Sequence, residues 1–78
     1  MSGKYPVVPW ERITKALEKL GYEKASQKGS HMKYRIKGKS IIIVPRHKRI
    51  SIGVLKQIVH EVTAKTGLSE KEFIDLIK

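Results

Sequence analysis

The sequence predicts a single α+β domain spanning residues 1–78, in which helices lie against one face of a three-stranded antiparallel sheet. Three observations carry this prediction. Two segments, one near the N-terminus and one in the second half of the chain, repeat apolar residues at helical spacing. Between them lie stretches of strand character separated by short turns that contain glycine. A serine followed three residues later by a glutamate indicates a further short helix near the C-terminus.

The first helix is predicted to begin at Pro9, because proline suits the first helical position, where no backbone N–H is needed. Apolar residues then recur on one helix face at Trp10, Ile13, Leu17 and Leu20. Gly21 follows directly and is the expected end of this helix.

Two strands joined by a turn are predicted next. The short mixed segment from Tyr22 to Lys28 is typical of a first strand, and Lys28-Gly29-Ser30 is typical of a turn. The second strand alternates apolar and polar residues, with Met32, Tyr34 and Ile36 on one face and His31, Lys33 and Arg35 on the other. His31 is therefore expected to face solvent, among cations.

The third strand follows a predicted hairpin turn at Lys37-Gly38-Lys39. Its residues 41–44 are all β-branched, and Pro45 ends it. A basic loop from Arg46 to Arg49 then leads to the second helix. The apolar stripe of this helix is the clearest in the chain, at Leu55, Ile58, Val59 and Val62, and the helix should end near Gly67.

The last predicted helix is a short one that begins at a capping box. Ser69 and Glu72 have the required spacing, ahead of the apolar residues Phe73, Ile74, Leu76 and Ile77. The complete order is α-β-β-β-α with an added C-terminal helix. This order is shared with double-stranded-RNA-binding domains.

The positive charge of the chain is concentrated in its middle third. A net charge of +10 arises from 17 Lys and Arg against 7 Asp and Glu, and nine of the basic residues lie from Lys24 to Arg49 with no acid among them. Cations that neutralise phosphates release condensed counterions, so RNA is the expected partner. The alternative is a solvated surface that only keeps the protein soluble. The candidate RNA-binding residues are Lys24, Lys28, Ser30, Lys33, Arg35, Lys37, Lys39, Arg46, His47, Lys48 and Arg49. Few aromatic residues could stack on bases, and only Tyr34 and Trp10 are considered for that role.

Several classes of protein are disfavoured by composition. The chain has no cysteine, so it forms no disulfide, and the basic third offers no carboxylate to hold Mg²⁺. The three histidines lack zinc-like spacing, and no cofactor is expected. No apolar stretch approaches the ~20 residues of a membrane span, and none at the N-terminus has signal-peptide length. We therefore expect a cytoplasmic protein without membrane contact.

Two of the three histidines lie within the basic stretch. An imidazole ordinarily titrates near pH 6.5, so His31 or His47 beside a phosphate could accept the proton of a ribose 2′-OH. Neighbouring Lys and Arg would stabilise charge that builds on the phosphate oxygens. The alternative role for either histidine is simple phosphate contact. His60 lies opposite the apolar stripe of the second helix and is given no role.

A set of short motifs covers about residues 9–77, namely Gly29-Ser30-His31, then Pro45 and His47, then Gly53 and Leu55 at the start of a helix. In these motifs the chain resembles the HicA-type messenger-RNA interferase toxins. It departs from the family pattern at Val54, where a small hydroxyl residue is frequent, and at Arg46. The resemblance implies a fold like a double-stranded-RNA-binding domain, a toxin that cleaves messenger RNA independently of the ribosome, a catalytic histidine at His31 and a HicB-type antitoxin as partner. Together with the absence of a metal-binding carboxylate in the basic third, it leads us to expect a metal-independent endoribonuclease with His31 as general base.

Two other functions remain open at the level of sequence. A non-catalytic RNA-binding module would use the same cations only to grip phosphates. A protein-interaction subunit is suggested by Ile41 to Val44, which present apolar side chains on both faces of an expected edge strand. Ordinary core packing under a helix is the simpler and slightly favoured explanation of that strand.

Overall fold

The computed structural model describes residues 5–37 and 41–78, and its elements follow the predicted order. The three antiparallel strands lie in the order β1-β2-β3. The predicted turn residues Gly38 and Lys39 lie outside the described residues. The elements are α1 (Trp10–Lys19), β1 (Glu23–Lys28), β2 (His31–Arg35), β3 (Ile41–Pro45), α2 (Ile52–Thr66) and α3 (Glu70–Ile77).

The start of α1 lies one residue later than its sequence predicts. Pro9 has extended backbone angles, φ −78° and ψ 163°, and caps the helix instead of forming its first turn. The free N–H of Trp10 donates to the carbonyl of His47 at 3.1 Å, which fixes the chain direction at this point. Gly21, with φ +100°, ends the helix as expected, because that conformation is strained for any residue with a side chain.

The sheet has one face covered by helices and one open face. The covered face contains the buried side chains of β2 and β3, which are Met32, Tyr34, Ile42 and Val44. The open face contains His31, Lys33 and Arg35 of β2, and all three are exposed. The alternation predicted for β2 is confirmed as far as Arg35, where the strand ends, while Ile36 is half-buried beyond it.

The core lies between the covered face and the three helices. The four stripe residues of α2 are buried, as predicted, together with Phe73 and Ile77 of α3. The capping box of α3 is confirmed, since the Ser69 hydroxyl accepts from the Glu72 N–H at 3.1 Å and the Glu72 carboxylate accepts from the Ser69 N–H at 3.0 Å. These hydrogen bonds hold the pKa of Glu72 below its ordinary value. In residues 5–37 and 41–78, no helix has the length and apolar character that crossing a membrane requires.

Candidate nucleic-acid interface

His31 begins β2 and lies on the open face of the sheet. It pairs with Lys28 of β1 on one side and with Pro45 of β3 on the other. Residues directly opposite in antiparallel strands have Cβ atoms about 5 Å apart, and Lys33 is the next residue along the same face. The imidazole is exposed, and Lys28 and Lys33 are its neighbours on the same face, which confirms its predicted outward orientation among cations.

The basic loop, residues 46–49, is held against the start of β2 by backbone hydrogen bonds. The Arg46 N–H donates to the Ser30 carbonyl at 2.6 Å, and the Trp10 N–H donates to the His47 carbonyl at 3.1 Å. At the end of the loop, the N–H of the fully buried Ile50 donates to the Val8 carbonyl at 2.9 Å. Residues 46–49 are exposed, so the loop presents its side chains to solvent from a fixed backbone next to His31.

Arg46 stacks on the only tryptophan of the chain. Its guanidinium lies 5.3 Å from the centroid of the Trp10 ring, within the range of a cation–π contact. The contact ties the N-terminus of α1 to the basic loop, and sequence reasoning missed it. No periodicity relates residues 36 positions apart, so only the fold could reveal this pair.

A bulge in β1 divides the predicted cations of that strand between the two sides of the sheet. The register shifts between Lys24 and Ser26, so that Lys24 pairs with the inward-facing Tyr34 while Ser26 pairs with Lys33 and Lys28 with His31. In a regular strand, residues 24, 26 and 28 would all share one face. The structure therefore brings Lys28 to the side of His31, and it turns Lys24 toward the other side, where its ammonium donates to the Gln27 side chain.

The remaining predicted site residues lie in several different elements around His31. Arg35 shares the open face with His31 but lies at the far end of β2, opposite Glu23 and Ile41. Lys37 follows β2 in a left-handed conformation with φ 45°. Ser30 is exposed in the turn before His31, and His47, Lys48 and Arg49 are exposed in the basic loop. Lys39 is outside the described residues.

One of the two aromatic residues considered for stacking on bases is unavailable. Tyr34 is only 3% exposed and faces the helices, and burial together with the Glu18 carboxylate raises the pKa of its hydroxyl. The prediction for Tyr34 was therefore wrong. Trp10 is half-buried, and the Arg46 guanidinium lies over its ring.

The ionisable residues of the described ranges include no group of three or more His, Cys, Asp or Glu arranged to hold a metal ion. The cations near His31 are Lys28, Lys33 and the basic loop. Such an arrangement can bind phosphates and offers one imidazole for proton transfer beside them.

A protein-family model described as the HicA toxin of bacterial toxin–antitoxin systems matches residues 10–66, from the start of α1 to the end of α2. Searches of curated proteins and of solved structures returned no significant match.

Proposed function

The chain belongs to the HicA family of bacterial toxins, and we propose that it is a metal-independent endoribonuclease that cleaves messenger RNA with His31 as general base. Family membership gives the toxin role and implies an antitoxin partner. The observation that carries the catalytic proposal is the exposed imidazole of His31 on the open face, beside Lys28 and Lys33. We propose that the other exposed cations of the open face and the basic loop bind the RNA backbone, and that the reaction takes place in the cytoplasm.

The proposed reaction uses the RNA's own hydroxyl as nucleophile. His31 removes the proton of a ribose 2′-OH, and the 2′ oxygen attacks the adjacent phosphorus. The bond from phosphorus to the 5′ oxygen breaks, which leaves a 2′,3′-cyclic phosphate and a 5′-hydroxyl end. Lys28 and Lys33 stabilise the negative charge that builds on the phosphate oxygens in the transition state.

The departing 5′ oxygen must receive a proton, and His47 is the protein group considered for this step. His47 is exposed in the basic loop, whose backbone is bonded to Ser30 immediately before His31. The effect of removing His47 on the cleavage rate distinguishes a general acid from a residue that only contacts phosphate. His47→Ala reduces the rate about as much as loss of His31 if His47 is the acid, and less if it only contacts phosphate.

Metal independence follows from the nucleophile and from the sequence around it. An internal 2′-OH activated by a base needs no metal-bound hydroxide. From Lys24 to Arg49 the chain has no carboxylate, and cations take the charge-stabilising role that Mg²⁺ has in many nucleases. We therefore expect EDTA to leave the cleavage rate unchanged.

A modified substrate tests this chemistry directly. We expect an RNA that carries a 2′-O-methyl group at the cleaved nucleotide to resist cleavage there, because the blocked oxygen cannot attack phosphorus. The same RNA with 2′-O-methyl groups two or more nucleotides away is the control and should be cut. Gel mapping of the products, with detection of the cyclic phosphate end, measures both. Cleavage at the blocked nucleotide would mean that water is the nucleophile, and the proposed mechanism would then be wrong.

The partner proposed for this chain is a HicB-type antitoxin that covers the open face and displaces RNA. A protein with acidic surface would be attracted to the cations of that face, and electrostatic attraction speeds such encounters. A non-catalytic RNA-binding module remains the alternative function, since the same cations would grip phosphate without cleavage.

A further inference from the structure

Among the residues that the structure describes, β3 is an edge strand, and no strand pairs with its outer backbone groups. The hydrogen bond from the Arg46 N–H to the Ser30 carbonyl marks positions 30 and 46 as a hydrogen-bonded pair. Antiparallel ladders alternate, so Val44 and Ile42 bond to β2, whereas Ile43 and Ile41 occupy non-bonded pairs. The N–H and C=O groups of Ile41 and Ile43 therefore point away from β2. In residues 5–37 and 41–78, no backbone hydrogen bond outside the helices and strands reaches them.

The free edge, Ile41 and Ile43, is apolar on the open side of the sheet. The two side chains are 48% and 49% exposed, while Ile42 and Val44 between and beside them are buried. Core packing thus accounts for Ile42 and Val44, two of the four residues predicted in this strand, and leaves the side chains of Ile41 and Ile43 about half exposed. An exposed apolar edge strand with unpaired backbone groups is prone to aggregation. Proteins usually prevent this with charged residues at the edge or by covering the edge with another segment.

A groove runs along the other side of the free edge, between β3 and α2. Its volume is about 440 Å³. The lining from β3 is Ile41, Ile42 and Ile43, and the lining from α2 is Val54, Gln57, Ile58, His60 and Glu61. A strand added to β3 would alternate its side chains between this groove and the exposed Ile41 and Ile43. Both faces of an added strand would find apolar surface.

We propose that the free edge of β3 binds an extended segment of the antitoxin by β-strand addition. This inference rests on the antitoxin partner proposed above, and it specifies how that partner binds. The segment has apolar side chains at alternate positions for the groove and further apolar side chains against Ile41 and Ile43. Main-chain hydrogen bonds to residues 41 and 43 supply affinity, and the groove supplies selectivity. Pro45 has no N–H and its carbonyl accepts from the His47 N–H, so the added strand ends there.

Charge favours a partner with an acidic surface over a second copy of this chain. Lys33 and Arg35 are directly opposite Ile43 and Ile41 on the open face. Pairing two copies through β3 would bring two such rows to about 14 Å, three strand spacings apart, between molecules that each carry a net charge of +10. An acidic partner meets attraction instead. RNA is disfavoured because residues 41–45 include no cation to bind phosphate.

Amide hydrogen exchange on the complex tests the proposal residue by residue. The probe is a HicB-type antitoxin that is co-expressed and co-purified with this chain. We expect the amides of Ile41 and Ile43 to exchange rapidly in the free chain and at least about 100-fold more slowly in the complex. The amides of Ile42 and Val44, already bonded to β2, are the internal control and should be slow in both. A complex in which residues 41 and 43 still exchange rapidly overturns strand addition but leaves the antitoxin partner standing.

Two variants at position 43 distinguish the contribution of backbone hydrogen bonds to antitoxin binding from the contribution of the side chain. Ile43→Pro removes the outward N–H, and its ring blocks a neighbouring strand, without deleting a bond to β2. Ile43→Ala shortens the side chain and keeps the N–H. We expect the antitoxin Kd to rise at least about 100-fold for the proline variant and about tenfold or less for the alanine variant. Slow exchange at Ile42 and Val44 in the free variant checks that the sheet is intact.

Other results would also contradict the inference. Equal losses for the two variants would mean that only the side chain is used. Protection of residues 41 and 43 in the free chain at high concentration would point to a second copy, and protection by RNA alone would point to nucleic acid. If the two proteins do not associate at all, the proposed antitoxin partner fails along with its mode of attachment, whereas RNA cleavage is tested independently.

Discussion

Tyr22 carries a buried hydroxyl without a hydrogen-bond partner in the described part of the chain. The residue is 2% exposed at the end of α1, and its ring fills the core. Burial, followed by the nearby Glu61 carboxylate, raises the pKa of this phenol above its ordinary value of 10.0. The ring stabilises the fold, but the unpaired hydroxyl opposes that gain.

Replacing this hydroxyl should make the protein more stable. We expect Tyr22→Phe to raise the free energy of unfolding by about 1 kcal/mol near neutral pH, because an unsatisfied buried polar group is removed. A raised folded-state pKa gives stability that is complete below about pH 10 and is lost as pH rises through the folded-state pKa. The variant should therefore also lose less stability under alkaline conditions than the parent.

Urea unfolding near pH 7 and near pH 11 measures both effects. Tyr34→Phe is the matched control, since the pKa of Tyr34 is also raised but its hydroxyl is not among the unpartnered atoms. That variant should reduce the alkaline loss without the gain at neutral pH. A lower stability of Tyr22→Phe at neutral pH would mean that the hydroxyl has a partner after all.

The direction in which a strand residue faces could be predicted from the sequence, whereas contacts between residues distant in the chain could not. Period-two alternation in β2 correctly turned His31 outward. The same alternation turns Tyr34 inward, so its assignment as a base-stacking residue contradicted a pattern already present in the sequence. The Arg46–Trp10 stack had no such pattern, because it depends on how the loop after β3 meets the start of α1.

At the scale of elements, the sequence predicted every helix and strand within one or two residues at its ends. The strong signals were the α2 stripe with Gly67 in a left-handed conformation at φ 78°, and the reciprocal capping box of α3. β1 was the weak point, since all six of its residues are exposed and no apolar period fixes its register. Its bulge decides which cations share a face with His31, and the sequence gives no sign of it.

The position of the basic loop, like the register of β1, could not be predicted from the sequence. The composition of the basic loop predicts a binding segment, but the position of the loop depends on three backbone hydrogen bonds to residues 8, 10 and 30. Such backbone hydrogen bonds cannot be predicted from the identity of the side chains. The candidate site was therefore predictable as a set of residues and not as an arrangement in space.

At the scale of the whole molecule, the dominant property is the excess of positive charge. The cations near His31 are dispersed over β1, β2 and the basic loop, and Trp10 is the one aromatic of the two considered that is not buried toward the helices. Phosphate contacts of this kind position RNA without reading its bases. Binding should therefore be strong at low salt and weakly dependent on sequence.

Salt dependence measures this property. If about five phosphates of single-stranded RNA are neutralised, the logarithm of the association constant should fall against the logarithm of salt concentration with a slope near −3.5. Lys24→Ala, which removes a cation turned away from His31, should change the slope less than Lys28→Ala, which removes one beside it. A slope near zero would show that the positive charge is not used to bind phosphate.

The central claim is that His31 is the general base, and the cleavage rate of His31→Ala tests it most directly. The rate should be measured with saturating RNA at equal folded protein, verified by circular dichroism. His60→Ala is the matched control, since that histidine is exposed on α2 and outside the basic stretch. We expect cleavage by His31→Ala to be about 10²–10⁴-fold slower than by the parent, with RNA binding retained and His60→Ala unaffected. Cleavage by His31→Ala at the parent's rate would contradict the assignment and leave some other group as the base.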